Sequence, residues 1–261
     1  MQSIYAKIEE IKGGNIPAAL CIVIETSGST PRKQGAKMIV FADGSIYGTI
    51  GGGGIEKDVA DKAVKLIALG KPVKCVFSLE KDLGMHCGGT MEVYIEPISQ
   101  VQKLFIFGAG HIGKSLAAFA KELDFSVTLF DPRENIFAEK AFEGCNCINK
   151  DYFEAINETA FDDNTYIVIV TPKHASDEEI LAVVAKKPHV YAGMIGSARK
   201  VELLKKRFLD EKILSLEVLS KIDMPIGIKF QAETPQEIAI SILAKLIDVR
   251  NTLLQDKSET Y

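Results

Sequence analysis

The stretch from Leu104 to Gly113 constrains this chain more than any other. Leu104-Phe105-Ile106-Phe107 is an unbroken apolar run, the pattern of a strand buried on both faces of a parallel sheet. Gly108-Ala109-Gly110-His111-Ile112-Gly113 follows it and opens an amphipathic helix with Ile112, Leu116, Phe119 and Leu123 on one face. Glycines at 108, 110 and 113 let the backbone turn tightly, approach a pyrophosphate and bring helix and strand close together. The N–H groups at the helix start, where His111 stands, would stabilise the anion. Glycine spacing alone is weak evidence, but here the context agrees. Val127–Phe130 predicts the second strand, and Asp131 ends it 23 residues after Gly108, where an acidic side chain binds a ribose hydroxyl. The plainer reading of Asp131 is the cap of a helix begun by Pro132.

Further along, apolar runs near residues 145–148, 166–170 and 190–192 alternate with helix-like stretches, which implies a parallel sheet with crossover helices. Before residue 100 the rhythm differs. An opening helix (Ile4, Ile8, Ile11) precedes short β-rich runs at 18–25, 36–41 and 45–49, then a helix carrying Ile55, Val59, Ala63 and Leu66. Two more strands are predicted near 73–78 and 91–95. The fold class is therefore α/β, a C-terminal Rossmann-like parallel sheet with a smaller N-terminal α+β domain. The predicted division is 1–99, 100–254 and a polar tail at 255–261, read as disordered. Thr234-Pro235-Gln236-Glu237 is a capping box for the final helix. That helix is apolar around most of its circumference, so it must be buried in the core or against a second subunit, which predicts a homodimer.

Composition excludes whole classes of function. A net charge of −4 with scattered Lys and Arg lacks the footprint of a nucleic-acid binder. The longest apolar run, Ala18 to Ile24, is far short of a membrane span, so no membrane insertion is expected. Five cysteines, an odd number without framework spacing, suit a reducing cytoplasm.

Other segments carry candidate chemistry. Gly51, Gly52, Gly53 and Gly54 form a loop able to present bare N–H groups, and Arg32 in Gly28-Ser29-Thr30-Pro31-Arg32 offers a fork for phosphate or carboxylate. Glycine runs are also simply turns. Cys87 in Met85-His86-Cys87-Gly88-Gly89 is a candidate soft-metal ligand or sulfur carrier, with an inert buried thiol as the alternative. Cys145 and Cys147 share a strand face and read as core. His174 follows the fourth strand in Thr171-Pro172-Lys173-His174, and Ser176 to Glu179 reads as a capping box for the next helix. Gly196 and Ser197 follow the fifth strand and lead into Arg199 and Lys200, a setting that suits an anion.

Taken in order, these motifs resemble the xanthine dehydrogenase accessory factor (XdhC/CoxI) family. In the first half the resemblance rests on Gly28–Arg32, Gly35-Ala36-Lys37-Met38, Gly51–Gly54 with Glu56, Cys87-Gly88-Gly89 and Ile95-Glu96-Pro97. In the second it rests on Gly108–Gly113, Asp131-Pro132-Arg133, Thr171 with His174 and Asp177, Gly196-Ser197, Pro225-Ile226-Gly227 and Glu233-Thr234-Pro235. The resemblance spans residues 20–250. It implies a factor that binds the molybdenum cofactor (molybdopterin), guards its sulfurated form and delivers it to a client molybdenum hydroxylase, with a cysteine desulfurase as a further partner. Such a factor is an accessory protein rather than a turnover enzyme. Ala198, Lys229, Gln231 and Lys245 depart from the family pattern. The residues by themselves also admit an NAD(P)-dependent oxidoreductase, or a non-catalytic module that binds NAD(P) or another nucleotide to govern assembly.

Overall fold

The computed structural model describes residues 2–78, 89–98 and 101–259, with side chains up to 253. The chain divides into two compact units, one of residues 1–100 with 252–261 and one of Val101–Asn251.

In the first unit, α1 (Ile4–Gly13) precedes β1 (Ala18–Ser27), β2 (Lys37–Phe41), β3 (Ile46–Gly48), α2 (Gly54–Leu69), β4 (Val73–Ser78) and β5 (Thr90–Pro97). The five strands form one antiparallel sheet in the order β3-β2-β1-β5-β4. Alternation along β1 sorts its side chains between the two faces. Ala19, Cys21 and Val23 join Ile55, Val59 and Ala63 of α2 in one core, while Ala18 and Leu20 pack with Ile11 of α1 on the other face. Burial pushes the Cys21 thiol up to about 12, so it is an inert core residue.

The second unit contains β6 (Gln102–Phe107), α3 (His111–Ala120), β7 (Phe125–Phe130), β8 (Asn146–Ile148), α4 (Tyr152–Glu158), β9 (Thr165–Ile169), α5 (His174–Val184), β10 (Tyr191–Met194), α6 (Ala198–Asp210), α7 (Leu216–Lys221) and α8 (Pro235–Glu259). All strand pairings are parallel, in the order β10-β9-β6-β7-β8. This is the Rossmann order, with the first strand in the middle and the chain reversing direction beside it. Phe105 and Phe107 of β6 face a core with α4, α5 and α6, whereas Leu104 and Ile106 face one with α3 and α8. Burial on both faces explains the unbroken apolar run.

Several expectations are corrected here. The buried face of α3 is Gly113, Leu116, Ala117 and Ala120, and Phe119 is exposed. The close approach of helix to strand at Gly113 rotates the smaller side chains inward. No helix follows Pro132, so Asp131 is not a helix cap. Helix α5 begins at His174, which places Ser176 inside the first turn rather than at the cap. The final helix buries Ala239, Ile242 and Leu246 in the core of its own unit, leaves Ile240 exposed, and runs to Glu259, into the stretch read as a tail. Among the described residues no helix is long and apolar enough to cross a membrane.

Candidate functional site

The glycine loop between β6 and α3 is built by three glycines with different duties. Gly108 has φ +109°, and a Cβ there would lie 2.5 Å from the Val170 carbonyl oxygen, so the loop is pressed against the end of β9. A Cβ on Gly113 would lie 1.9 Å from the Gly108 carbonyl oxygen, which only glycine permits. Gly110 is crowded by nothing; the nearest atom to its Cβ position is Arg133 Nη2 at 4.0 Å. Two glycines lock the loop and the third leaves an open approach to its backbone.

Asp131 does something other than the expected ribose contact. Its carboxylate is fully buried and both oxygens are engaged. The Ala109 N–H donates to Oδ2 at 2.8 Å, Arg133 Nη2 donates to Oδ2 at 2.7 Å, and Arg133 Nε and N–H donate to Oδ1 at 2.8 and 3.1 Å. Burial would raise this carboxyl, but the bonds from Arg133 and Ala109 prevail and hold it below the usual carboxylate range. The acid therefore ties the glycine loop to Arg133, whose side chain remains 45% exposed. Sequence reasoning missed Arg133 as a site residue, although an Asp-x-Arg at a strand end was its signal.

A cavity of about 240 Å³ opens at this edge, lined by Arg133, Tyr152, Thr171, Lys173 and Ser176, with Asp131 and Asp151. It lies beyond the carboxyl ends of β7 and β9, where ligands of open α/β sheets bind. Neither α3 nor α5 has a side-chain cap, whereas Asp151 caps α4 and Ser197 caps α6. Arg133, Lys173 and two uncapped helix starts offer donors that suit an anion such as a phosphate, beside the carboxylates of Asp131 and Asp151.

Beyond Lys173 stands His174, exposed at the first position of α5. Asp177 is buried beneath it, and its Oδ1 accepts from the Thr171 N–H at 2.9 Å and hydroxyl at 2.7 Å. Gly196 borders a separate cavity of about 350 Å³ with Pro225, Ile226, Ile228, Phe230 and Ile238. Its loop is braced by Asp223, also missed from sequence, whose Oδ2 accepts from Tyr191 Oη at 2.6 Å and Gly227 N at 3.0 Å. The Ser197 hydroxyl accepts from Lys200 N, so it serves as a helix cap. His111 is exposed at the start of α3.

In the first unit the structure brings separate motifs together. A Cβ at Gly51 would lie 2.6 Å from Pro31 Cγ, and one at Gly89 would lie 2.5 Å from the carbonyl oxygens of Ser27 and Ser29. Arg32 is exposed in that loop. The N–H groups of the Gly51–Gly54 turn are partly spent internally. Glu56 Oε1 accepts from the Ile50 and Gly51 N–H groups at 3.0 and 3.2 Å and from Thr49 Oγ1 at 2.5 Å. Burial raises this carboxyl, but those bonds outweigh it and the net direction is downward. Its contribution is thus present above the ordinary glutamate range and lost as pH falls through the lowered value. Glu56→Ala is expected to lower stability by about 1–2 kcal/mol at neutral pH, with the difference shrinking on acidification. Urea titrations at the two pH values check this. Cys87 lies outside the described residues.

Residues 104–246 match the XdhC Rossmann domain, and residues 13–78 match the XdhC and CoxI family. The chain is 33% identical to the Escherichia coli (strain K12) protein YqeB over 256 residues, covering 95% of this chain and 46% of YqeB. It is 29% identical over 166 residues to a probable xanthine dehydrogenase subunit of Bacillus subtilis (strain 168), covering 63% of this chain and 48% of that protein. It is 22% identical to the molybdenum cofactor insertion chaperone PaoD of Escherichia coli (strain K12), covering 89% of this chain and 83% of PaoD. The chain spans about half the length of the first two relatives.

Proposed function

The chain belongs to the XdhC and CoxI family, and from that membership we propose that it is an accessory protein that binds the molybdenum cofactor and inserts it into a xanthine dehydrogenase-type molybdenum hydroxylase. The names of two relatives support this reading, one an insertion chaperone for that cofactor and the other a probable xanthine dehydrogenase subunit. The observation that carries it is Arg133, fixed by Asp131 beside an open glycine and facing a cavity with Lys173. Molybdopterin ends in a phosphate, and this donor set fits one. Arg133, Lys173 and the N–H groups at the start of α3 would hold the phosphate, and Tyr152 would close the cavity wall. When bound, the cofactor supplies its dithiolene-held molybdenum; the residues of this chain hold and orient it. Cys87 is included on sequence grounds as a thiol contact to molybdenum or a carrier of sulfur. Gly196 is a further candidate contact in the same unit, and the Gly51–Gly54 loop with Arg32 is a separate candidate anion contact of the first unit. An NAD(P)-dependent oxidoreductase would lack the ribose contact, because Asp131 is already used.

Coexpression with a client hydroxylase, followed by pterin fluorescence and metal analysis of the purified chain, tests the proposal. Roughly stoichiometric pterin and molybdenum are expected, with Cys87→Ala losing molybdenum or sulfur. If neither wild type nor variant retains pterin and the two behave alike, the proposal fails. The reading also includes a cytoplasmic homodimer and delivery of sulfur by a desulfurase. A monomer by light scattering removes the dimer.

A further inference from the structure

The cavity at Arg133 explains how an anion is held, but leaves one buried group without a use. Asp177 is 1% exposed, and only Oδ1 is satisfied, by Thr171. Its Oδ2 is buried and hydrogen-bonded to no described residue. Asp177 borders a small space of about 20 Å³, also lined by His174, Glu178, Ile195, Gly196 and Lys200, too small for more than one water or a donor group. His174 Nδ1 stands 3.5 Å from it, just beyond a formed hydrogen bond, and such distances shorten when a site is loaded. The charged groups around the pair are Lys173 at the N-cap of α5, Glu178 on α5 and Lys200 on α6. Burial pushes the Asp177 carboxyl up, so a donor for Oδ2 is what would keep it ionised.

We infer that His174 and Asp177 form a proton-accepting pair, in which Asp177 positions His174 by taking its Nδ1–H and leaves Nε2 to receive a proton from the bound molecule. This rests on the reading of the neighbouring cavity as the ligand site. The transfer breaks an X–H bond of the ligand, leaves the electron pair on X and gives an imidazolium whose charge the Asp177 carboxylate offsets. The proton returns to solvent after release. A thiol is the matching class of donor, because its ordinary range near 8.5 lies about two units from that of imidazole, far closer than an alcohol's. A phosphate-bearing molecule whose thiols are not yet bound to metal presents both groups.

Nitrogen-15 NMR of histidine-labelled protein, without cofactor, tests the pair directly. Neutral wild-type His174 is expected as the Nδ1–H tautomer. In Asp177→Asn the amide can donate to Nδ1, so the Nε2–H tautomer should dominate. Acylation of His174 by diethyl pyrocarbonate, read by peptide mass against His189, should then slow about tenfold. An Nε2–H tautomer in the wild type overturns the inference even if the variant does not fold. Unchanged tautomer and acylation rate in Asp177→Asn overturn it as well. These readouts need no bound cofactor, so failure of pterin retention and failure of the pair are separate results.

Discussion

Replacing Arg133 with methionine is expected to destabilise the C-terminal unit by about 2–3 kcal/mol at neutral pH and to weaken phosphate binding in its cavity at least ~30-fold. The stability effect comes from Asp131 rather than from the arginine itself. That carboxylate is fully buried and receives three of its four hydrogen bonds from Arg133. Methionine keeps the backbone bond but leaves a buried charge with one remaining strong partner, the Ala109 N–H. Removing one member of a fully buried pair costs about 3–5 kcal/mol; the Arg133 side chain is 45% exposed, so the lower end applies. The sign with pH follows. In the wild type Asp131 is held below its unfolded range, so its contribution is full above about pH 4 and is lost as pH falls through the lowered value. In the variant, burial dominates and the folded carboxyl rises above the unfolded one. The gap between the two proteins should therefore begin to shrink as pH falls through the variant's raised value and close once it has passed the wild type's lowered one. Urea denaturation at both pH values and calorimetry with pyrophosphate check the two halves. Equal stability at neutral pH would show that Asp131 is solvated and that the loop is anchored otherwise.

Gly113→Ala is expected to cost about 3 kcal/mol or more, against less than about 0.5 kcal/mol for Gly110→Ala. At 113 the new methyl would lie 1.9 Å from the Gly108 carbonyl oxygen, and backbone, unlike a flexible side chain, cannot swing aside. Gly108 cannot retreat either, since it is itself packed on Val170. Helix α3 would have to move away from β6, opening the core around Leu116 and Ala117. Gly110 has φ −72°, open to any residue, and its new methyl would meet nothing closer than 4.0 Å. Its substitution should leave folding intact while reducing pyrophosphate affinity about tenfold, because the methyl occupies the approach to the backbone. Denaturant midpoints and calorimetry on the two variants separate the structural glycine from the functional one.

Much of this was legible from sequence, for reasons particular residues make clear. The Leu104–Phe107 run is apolar because both faces of its strand are covered, and the three glycines recur at the spacing the turn requires. Parallel order followed from alternation of strands and helices. Less legible were the elements whose role depends on a distant partner. Ser176 and Glu179 look like a capping box, yet Asp177 bonds back to Thr171 and the helix starts three residues earlier, with Lys173 at the cap. The Gly51–Gly54 turn reads as an open anion nest, and its first N–H group, with that of Ile50, meets Glu56 instead. Phe119 fits a helical stripe but points outward, because the tight contact at Gly113 sets the rotation of α3.

Local periodicity and residues close in the chain were enough to read the two-part α/β architecture, the glycine loop at Gly108–Gly113 and the family resemblance. The task of the loop's acid emerges only when the chain is packed. Asp131 stands where a ribose-binding acid belongs, and burial behind the loop turned it into the anchor of Arg133. A carboxylate buried that deeply must be paired, so it recruited the nearest cation, and the group presented outward is a guanidinium rather than a carboxylate.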